Sequence, residues 1–406
     1  MMPTWLCMKE QLQSLRRPKE IAVPKIKQIN NYVLRKELTI KKHIQPSDTV
    51  LVHSDQYAEW IFEPSHPTQG RRFINARNLF VKLMADRSAP FTEVQPRLAS
   101  RAELELVHAP HFIDQVLNDH ICGEWKGQRS DLSTLASTFA GGTLVALDAL
   151  LNKGALTAIH FPGAKHHAQY DRSSGFCVFN DFAIAATIAT QNGYRVAIFD
   201  CDAHHGDGTE NLLRDNPDVL TFSVHESGIF PFVECDSYDP EHEIFNYKLP
   251  PKCGDDELEN GVEFFLEEAE RFKPDIIFIA CGADGLKDDP LSNLRYTVEG
   301  YAKAMKTIRK AYPDTPILFG GAGGYLPDDG TPNVWAQSAL VLEKKRKGIE
   351  MATSNKKPTK KHFVEIPKDI SEMSDAQIKA WAKEVYNQLI PVLKAEESKE
   401  ENGDNT

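Results

Sequence analysis

Five short runs carry almost no polar alternation: "ALTAIHF" (155–161), "RVAIFD" (195–200), "VLTFSVH" (219–225), "DIIFIACG" (275–282) and "PILFGGAGG" (316–324). A strand with one face in water alternates apolar and polar residues. A strand buried on both faces does not, and such strands occur in parallel sheets covered by helices. Helical patterns lie between the runs: "TFAGGTLVALDALLNKG", "NDFAIAATIATQNG" and "DELENGVEFFLEEAERF". The first two end at a glycine, as helix C-termini commonly do. Strands alternating with helices predict an α/β fold, an open, mainly parallel β-sheet with helices on both faces.

The chain has 406 residues, enough for one large domain with extensions. The reading divides it into an N-terminal extension (1–47), a catalytic domain (48–342), a basic linker with a C-terminal helix (343–395) and a disordered acidic tail (396–406). In the helix, Ile378, Trp381, Ala382, Val385 and Leu389 share one face, and Ser374 with Gln377 fits a capping box.

A net charge of −11 argues against nucleic acid as a direct partner. It favours basic substrates by steering. The seven cysteines form no C-x-x-C pair, which suits a reducing compartment. The first residues lack the apolar stretch of a signal peptide. No apolar run is expected to reach the 18 or so residues of a membrane span, so no membrane partner is expected. The clusters "KKRK" (344–347) and "KKPTKK" (356–361) resemble a bipartite nuclear signal, so the expected location is cytoplasmic or nuclear.

The chemically loaded stretches begin where predicted strands end. "PGAKHHA" follows the first run, "CDAHHGDG" the second, "GADG" the fourth and "AGGY" the fifth. Ligands bind at the carboxyl ends of strands in open α/β sheets, so one cleft would collect all four. Asp200, Asp202 and His204 alternate and, in an extended segment, point to one side. With Asp284 from another strand end, Asp202 and His204 supply the three protein ligands typical of catalytic zinc. His166 and His167 suit acid–base work near neutrality, each oriented by a carboxylate such as Asp200 or Asp207. Tyr325, delivered by a glycine-rich turn, suits oxyanion stabilisation. Each stretch alone also suits an ordinary polar loop. Their conjunction at strand ends points to a site.

The stretches "KHHAQYDRSSGFCVFND", "FDCDAHHGDGTE", "SVHESGIFPF", "GADGLKDDPL" and "GGAGGY" resemble, in order, the zinc-dependent histone deacetylase family, which includes bacterial deacetylases and acetylpolyamine amidohydrolases. The resemblance spans about residues 48–340 and implies an arginase-like α/β fold. It places zinc on Asp202, His204 and Asp284. It makes His166 and His167 the paired histidines backed by Asp200 and Asp207, and Tyr325 the transition-state tyrosine. Phe176 and Phe230 would wall a narrow substrate channel, with the Gly175 carbonyl at its inner end and Leu291 near its mouth. A structural potassium ion would lie on Asp200, Asp202, His204, Ser223 and Val224, and a weaker one near Leu213, Asn216 and Val219. The implied activity is amide hydrolysis of Nε-acetyl-lysine in an acetylated protein or peptide, with histone tails among the candidates.

Two stretches depart from the family. Lys165 stands where glycine usually precedes the histidines, and "SHPTQGRRF" matches the N-terminal pattern only loosely. Asp119, Glu124 and Asp131 are the candidates for a rim residue gripping the substrate backbone. The alternatives are an acetylpolyamine deacetylase and an inactive acetyl-lysine binding module. A two-manganese ureohydrolase is disfavoured, because Gly206 occupies the position of a bridging carboxylate.

Overall fold

The computed structural model describes residues 48–233 and 237–343. The N-terminal extension, both basic clusters, the C-terminal helix and the acidic tail lie outside the described residues, as do Cys7 and Cys235.

Nine strands form one sheet in the order β2-β1-β3-β9-β8-β4-β5-β7-β6. All neighbours are parallel except β6 and β7. The five runs become β3 (Thr157–His160), β4 (Val196–Asp200), β5 (Val219–Glu226), β8 (Ile276–Ala280) and β9 (Ile317–Gly320). Four of these five are buried at every position, which is why their sequences do not alternate. The sequence reading missed β1 (Thr49–Val52), β2 (Thr92–Val94), β6 (Tyr238–Asp239) and β7 (Ile244–Leu249). All four are edge or next-to-edge strands. In β7, Asn246 is a buried polar residue inside the run.

Helices cover both faces. They are α1 (Arg71–Asp86), α2 (Arg101–Leu104), α3 (Pro110–Leu117), α4 (Ser130–Leu151), α5 (Asp181–Gln191), α6 (Asp207–Leu213), α7 (Asp255–Phe272), α8 (Val298–Ala311) and α9 (Gly330–Leu342). The core joins Phe73, Phe80, Phe139, Phe161 and Trp335 near one side of the sheet to Phe199, Phe222 and Phe265 near the other.

Helix α4 corrects one expectation. It is 22 residues long and contains an 18-residue stretch with a mean hydropathy of 1.4, enough to cross a membrane by length and composition alone, but 83% of that 18-residue stretch is buried inside the domain. The helix starts eight residues before the predicted pattern. Its first turns carry Ser133, Ser137 and Thr138, polar but uncharged, and all three are buried. A helix apolar all round is either a core helix or a membrane span, and its burial makes this one a core helix.

The central four strands are β3, β9, β8 and β4, adjacent in space although they come from residues 157, 317, 276 and 196 onward. Their carboxyl ends point the same way, so the four loaded loops emerge side by side.

Candidate active site

After β4 the backbone turns out of the sheet. Residues 201–206 are not a strand, so the predicted one-sided alternation of Asp200, Asp202 and His204 arises differently. The aspartates shape the turn themselves. The Asp202 N–H donates to Asp200 Oδ1 at 3.0 Å and the His204 N–H to Asp202 Oδ1 at 3.0 Å. The Ala203 N–H donates to Asp284 Oδ1 at 2.9 Å, tying the β4 loop to the β8 loop. Local side-chain acceptors of this kind let Asp hold a non-helical turn.

The result is a compact cluster. Ligand atoms of Asp202, His204 and Asp284 all lie within 4.8 Å of one another, and all three residues are buried. His204 Nδ1 lies 3.0 Å from both Asp202 Oδ1 and Asp284 Oδ2. Burial opposes a charged ring, yet the bonds to the two carboxylates raise His204 to about 11. Burial, then the Asp202 charge, pushes Asp284 up to about 6. Two carboxylates this close and this deeply buried are costly without a positive charge beside them, and the three ligand atoms could hold a metal ion. The donor set of two carboxylates and an imidazole suits zinc. The turn from β9 leaves room for one, because a Cβ at Gly323 would collide with the Asp284 and Asp202 carboxylates.

The tandem histidines leave β3 on an irregular loop. Asp181, at the start of α5, accepts the Ala164 N–H at 2.9 Å and the Lys165 N–H at 2.7 Å and so fixes the approach to them. His166 Nδ1 lies 2.7 Å from Asp200 Oδ2, and His167 Nδ1 lies 2.7 Å from Asp207 Oδ1. The two rings face different electrostatics. Burial lowers both. For His166 the charges of Asp200 and Asp202 overcome it and raise the ring to about 9. For His167 burial and the neighbouring His166 charge prevail, lowering it to about 4. The carboxylates thus favour a charged His166 ring, while burial favours a neutral His167 ring.

Aromatic groups line the approach. The Phe230 ring lies 4.9 Å from His167 and 6.3 Å from His204. Phe176 lies 5.9 Å from Tyr325 and 4.6 Å from His66. Gly175 adopts φ +54°, a left-handed conformation that favours glycine, and a Cβ there would strike the His167 ring. Leu291 is half-buried in the β8 loop. Asp200 and Ser223 are partners across β4 and β5, with Val224 next in the strand. Leu213, Asn216 and Val219 share one turn, closed by backbone bonds from Asn216 to Leu213 and from Val219 to Asn216.

The rim candidates separate. Asp119 is exposed, and Asp131 pairs with Arg129 at 2.6 Å. Glu124 instead accepts the Phe176 N–H at 2.8 Å and so supports the aromatic wall.

Sequence reasoning missed several residues here. Arg72 is buried, donates to the Gly324 carbonyl and lies 5.5 Å from the Tyr325 ring centroid. Asp289 is buried and accepts the Tyr325 N–H at 2.8 Å. Gln169 donates to Asp207 Oδ2 at 2.8 Å. Lys165, the departure noted above, is buried between Phe73 and Phe139, its Nζ 5.6 and 5.4 Å from their ring centroids. The only sequence signal for Arg72 was its place in the loosely matching "SHPTQGRRF".

A buried Asp-His-Asp cluster that could hold a metal ion lies beside two carboxylate-backed histidines at the strand ends of a parallel sheet, an arrangement that suits a metal-dependent hydrolase. The histone deacetylase domain matches residues 63–342. The acetoin utilization protein AcuC of Bacillus subtilis is 34% identical over 330 residues, covering 75% of this chain and 83% of the relative. That of Staphylococcus aureus is 32% identical over 320 residues, covering 73% and 82%. A probable deacetylase of Archaeoglobus fulgidus is 29% identical over 304 residues, covering 70% and 83%. The crystal structure of the HDA15 HD domain shares the fold, with a TM-score of 0.63 at 22% identity over 73% of this chain and 90% of that one. The chain belongs to the histone deacetylase family, whose members are zinc-dependent hydrolases.

Proposed function

We propose that the chain hydrolyses Nε-acetyl-lysine in proteins to lysine and acetate, with Asp202, His204 and Asp284 holding one zinc ion. The observation that carries this reading is the convergence of that buried triad with His166, His167 and Tyr325 from two further strand-end loops. When bound, zinc supplies Lewis-acid polarisation of the acetyl carbonyl and a lowered pKa for water.

The chain's own residues do the rest. His167 is the general base and later the acid, acting at Nε2. Its Nδ1–H donates to Asp207, whose other oxygen is held by Gln169, so the tautomer is set. His166, held cationic against Asp200, is an electrostatic partner. Burial and the Asp284 charge push the Tyr325 phenol well up, so its hydroxyl keeps a proton to donate to the tetrahedral oxyanion. Phe176 and Phe230 pack against the methylenes of the acylated chain and exclude water. A potassium ion on Asp200, Asp202, His204, Ser223 and Val224 is part of the same proposal.

Leu291 supports acetyl-lysine over acetylpolyamines. An acetylpolyamine would carry a cationic amine past this apolar side chain, and burying a charge without a partner is costly. The test is kcat/KM on acetyl-lysine peptides, including histone tail sequences, against acetylspermidine. Preference for the peptide is expected. Preference for acetylspermidine would overturn the substrate assignment.

A further inference from the structure

The turn that delivers Tyr325 has no regular ladder to hold it. Ala322 at φ +53° and Gly324 at φ +136° lie in the left-handed region. Its backbone groups are held one by one. The Ala322 N–H donates to the Gly163 carbonyl at 3.0 Å and the Gly323 N–H to Asp202 Oδ2 at 2.7 Å. The last peptide unit, between Gly324 and Tyr325, is held at both ends by buried side chains. Arg72 Nη1 donates to its carbonyl, and its N–H donates to Asp289 Oδ2 at 2.8 Å. Asp289 Oδ1 also accepts the Leu291 N–H at 3.0 Å. One carboxylate thus spans the tyrosine and the channel lip.

We infer that Asp289 is a positioning residue for Tyr325. With Arg72 it clamps the 324–325 peptide along its dipole, and it ties that peptide to the Leu291 backbone. This rests on the proposed role of Tyr325 as oxyanion donor. A donor on the carbonyl and an acceptor on the N–H match the polarity of one peptide. A carboxylate can accept from both N–H groups. An asparagine offers one carbonyl oxygen and turns its amide donor toward the other N–H, so Asp289→Asn must release either Tyr325 or Leu291. A misplacement of about 1 Å in catalytic machinery costs on the order of 100-fold in rate.

The test is a double-mutant cycle on the zinc-loaded full chain, with Asp289→Asn and Tyr325→Phe, alone and together. Asp289→Asn is expected to lower kcat by roughly 10- to 100-fold with little change in KM. In the Tyr325→Phe background it should change kcat less than about twofold, because residues acting as a unit are non-additive. Equal losses in both backgrounds, or wild-type kcat in Asp289→Asn, would overturn the clamp. Should Asp289→Asn fail to fold, Asp289→Glu keeps the carboxylate one methylene out of place and enters the same cycle, with the same expectation. A second readout does not depend on turnover. The ¹⁹F resonance of fluorotyrosine-labelled protein that vanishes in Tyr325→Phe should be a single line in the wild type and shift or broaden in either Asp289 variant. An unchanged line would also overturn the clamp. Full activity in Tyr325→Phe would instead sink the oxyanion reading, leaving the ¹⁹F result to decide the clamp.

Discussion

His204 Nδ1 lies 3.0 Å from Asp284 Oδ2, bringing together groups 80 residues apart at the ends of β4 and β8. The contact forms because Ala203 of the same turn donates to the other Asp284 oxygen. The ring and the carboxylate therefore meet in one buried cluster rather than on two separate polar loops.

Asp284→Ala removes one of three ligands without touching β8, which ends at Ala280. The variant is expected to keep its far-UV circular dichroism and lose its zinc, read by elemental analysis after dialysis. Wild-type zinc content in the variant would show that Asp284 is not a ligand.

Tyr325→Phe deletes the hydroxyl and keeps the ring that packs on Phe176. The expected loss in kcat is roughly 10²–10³-fold, the usual size for one oxyanion donor. KM should change little, since the bond forms in the transition state. Near wild-type kcat would reduce Tyr325 to a wall residue.

His167→Ala should cost roughly 10²–10⁴-fold in kcat, the range of general acid–base catalysis. Asp207→Asn should lower kcat in the same direction, because an amide in place of the carboxylate no longer fixes the His167 tautomer as strongly. A His167→Ala enzyme with unimpaired turnover would move the base elsewhere.

Acid should destabilise the fold through histidines buried as neutral rings. The His108 Nε2 accepts the Asn180 N–H at 2.9 Å and its Nδ1 faces the Gln169 carbonyl at 2.9 Å, so the neutral ring satisfies both contacts. Burial, against backbone bonds at Gln169 and Tyr170, lowers it to about 4. The unfolded chain protonates this ring near pH 6.5. Stability is therefore whole above pH 6.5 and falls as pH drops from 6.5 toward 4, by about 3 kcal/mol for this ring. Urea midpoints between pH 7.5 and 4.5 should fall accordingly. An NMR titration placing His108 near 6.5 would contradict the assignment.

Leu291→Glu tests the proposed place of residue 291 at the channel lip. The variant should gain kcat/KM on acetylspermidine relative to acetyl-lysine peptide. An unchanged ratio would mean that residue 291 does not meet the distal amine.

Much of this site was legible because the strands that carry it are buried on both faces, so their ends were marked by an abrupt change from apolar to titratable residues. Asp200 to Asp207, His166 and His167, Asp284 and Tyr325 all stand at such changes. Their spatial adjacency was not written in any one segment. It follows from the order β3-β9-β8-β4, set by packing across the whole sheet. The supporting residues were less visible. Asp289 and Asp288 are adjacent aspartates, yet one is buried and the other exposed. Arg72 follows Arg71, which pairs with Asp328 at the surface. Only the packing around each pair tells its members apart. Helix α4 was misjudged because its small polar residues look like interruptions in sequence and pack as core residues in space.

The central claim is that one metal ion on Asp202, His204 and Asp284 makes this chain an amide hydrolase acting on acetyl-lysine. Acetate released from an acetyl-lysine peptide, measured together with metal content through chelation and zinc return, tests it most directly. One zinc per chain, acetate release that disappears on chelation and returns with one equivalent of zinc, and no release by Asp202→Ala are predicted. Undiminished acetate release by the metal-free protein, or two metal ions per active chain, would contradict it.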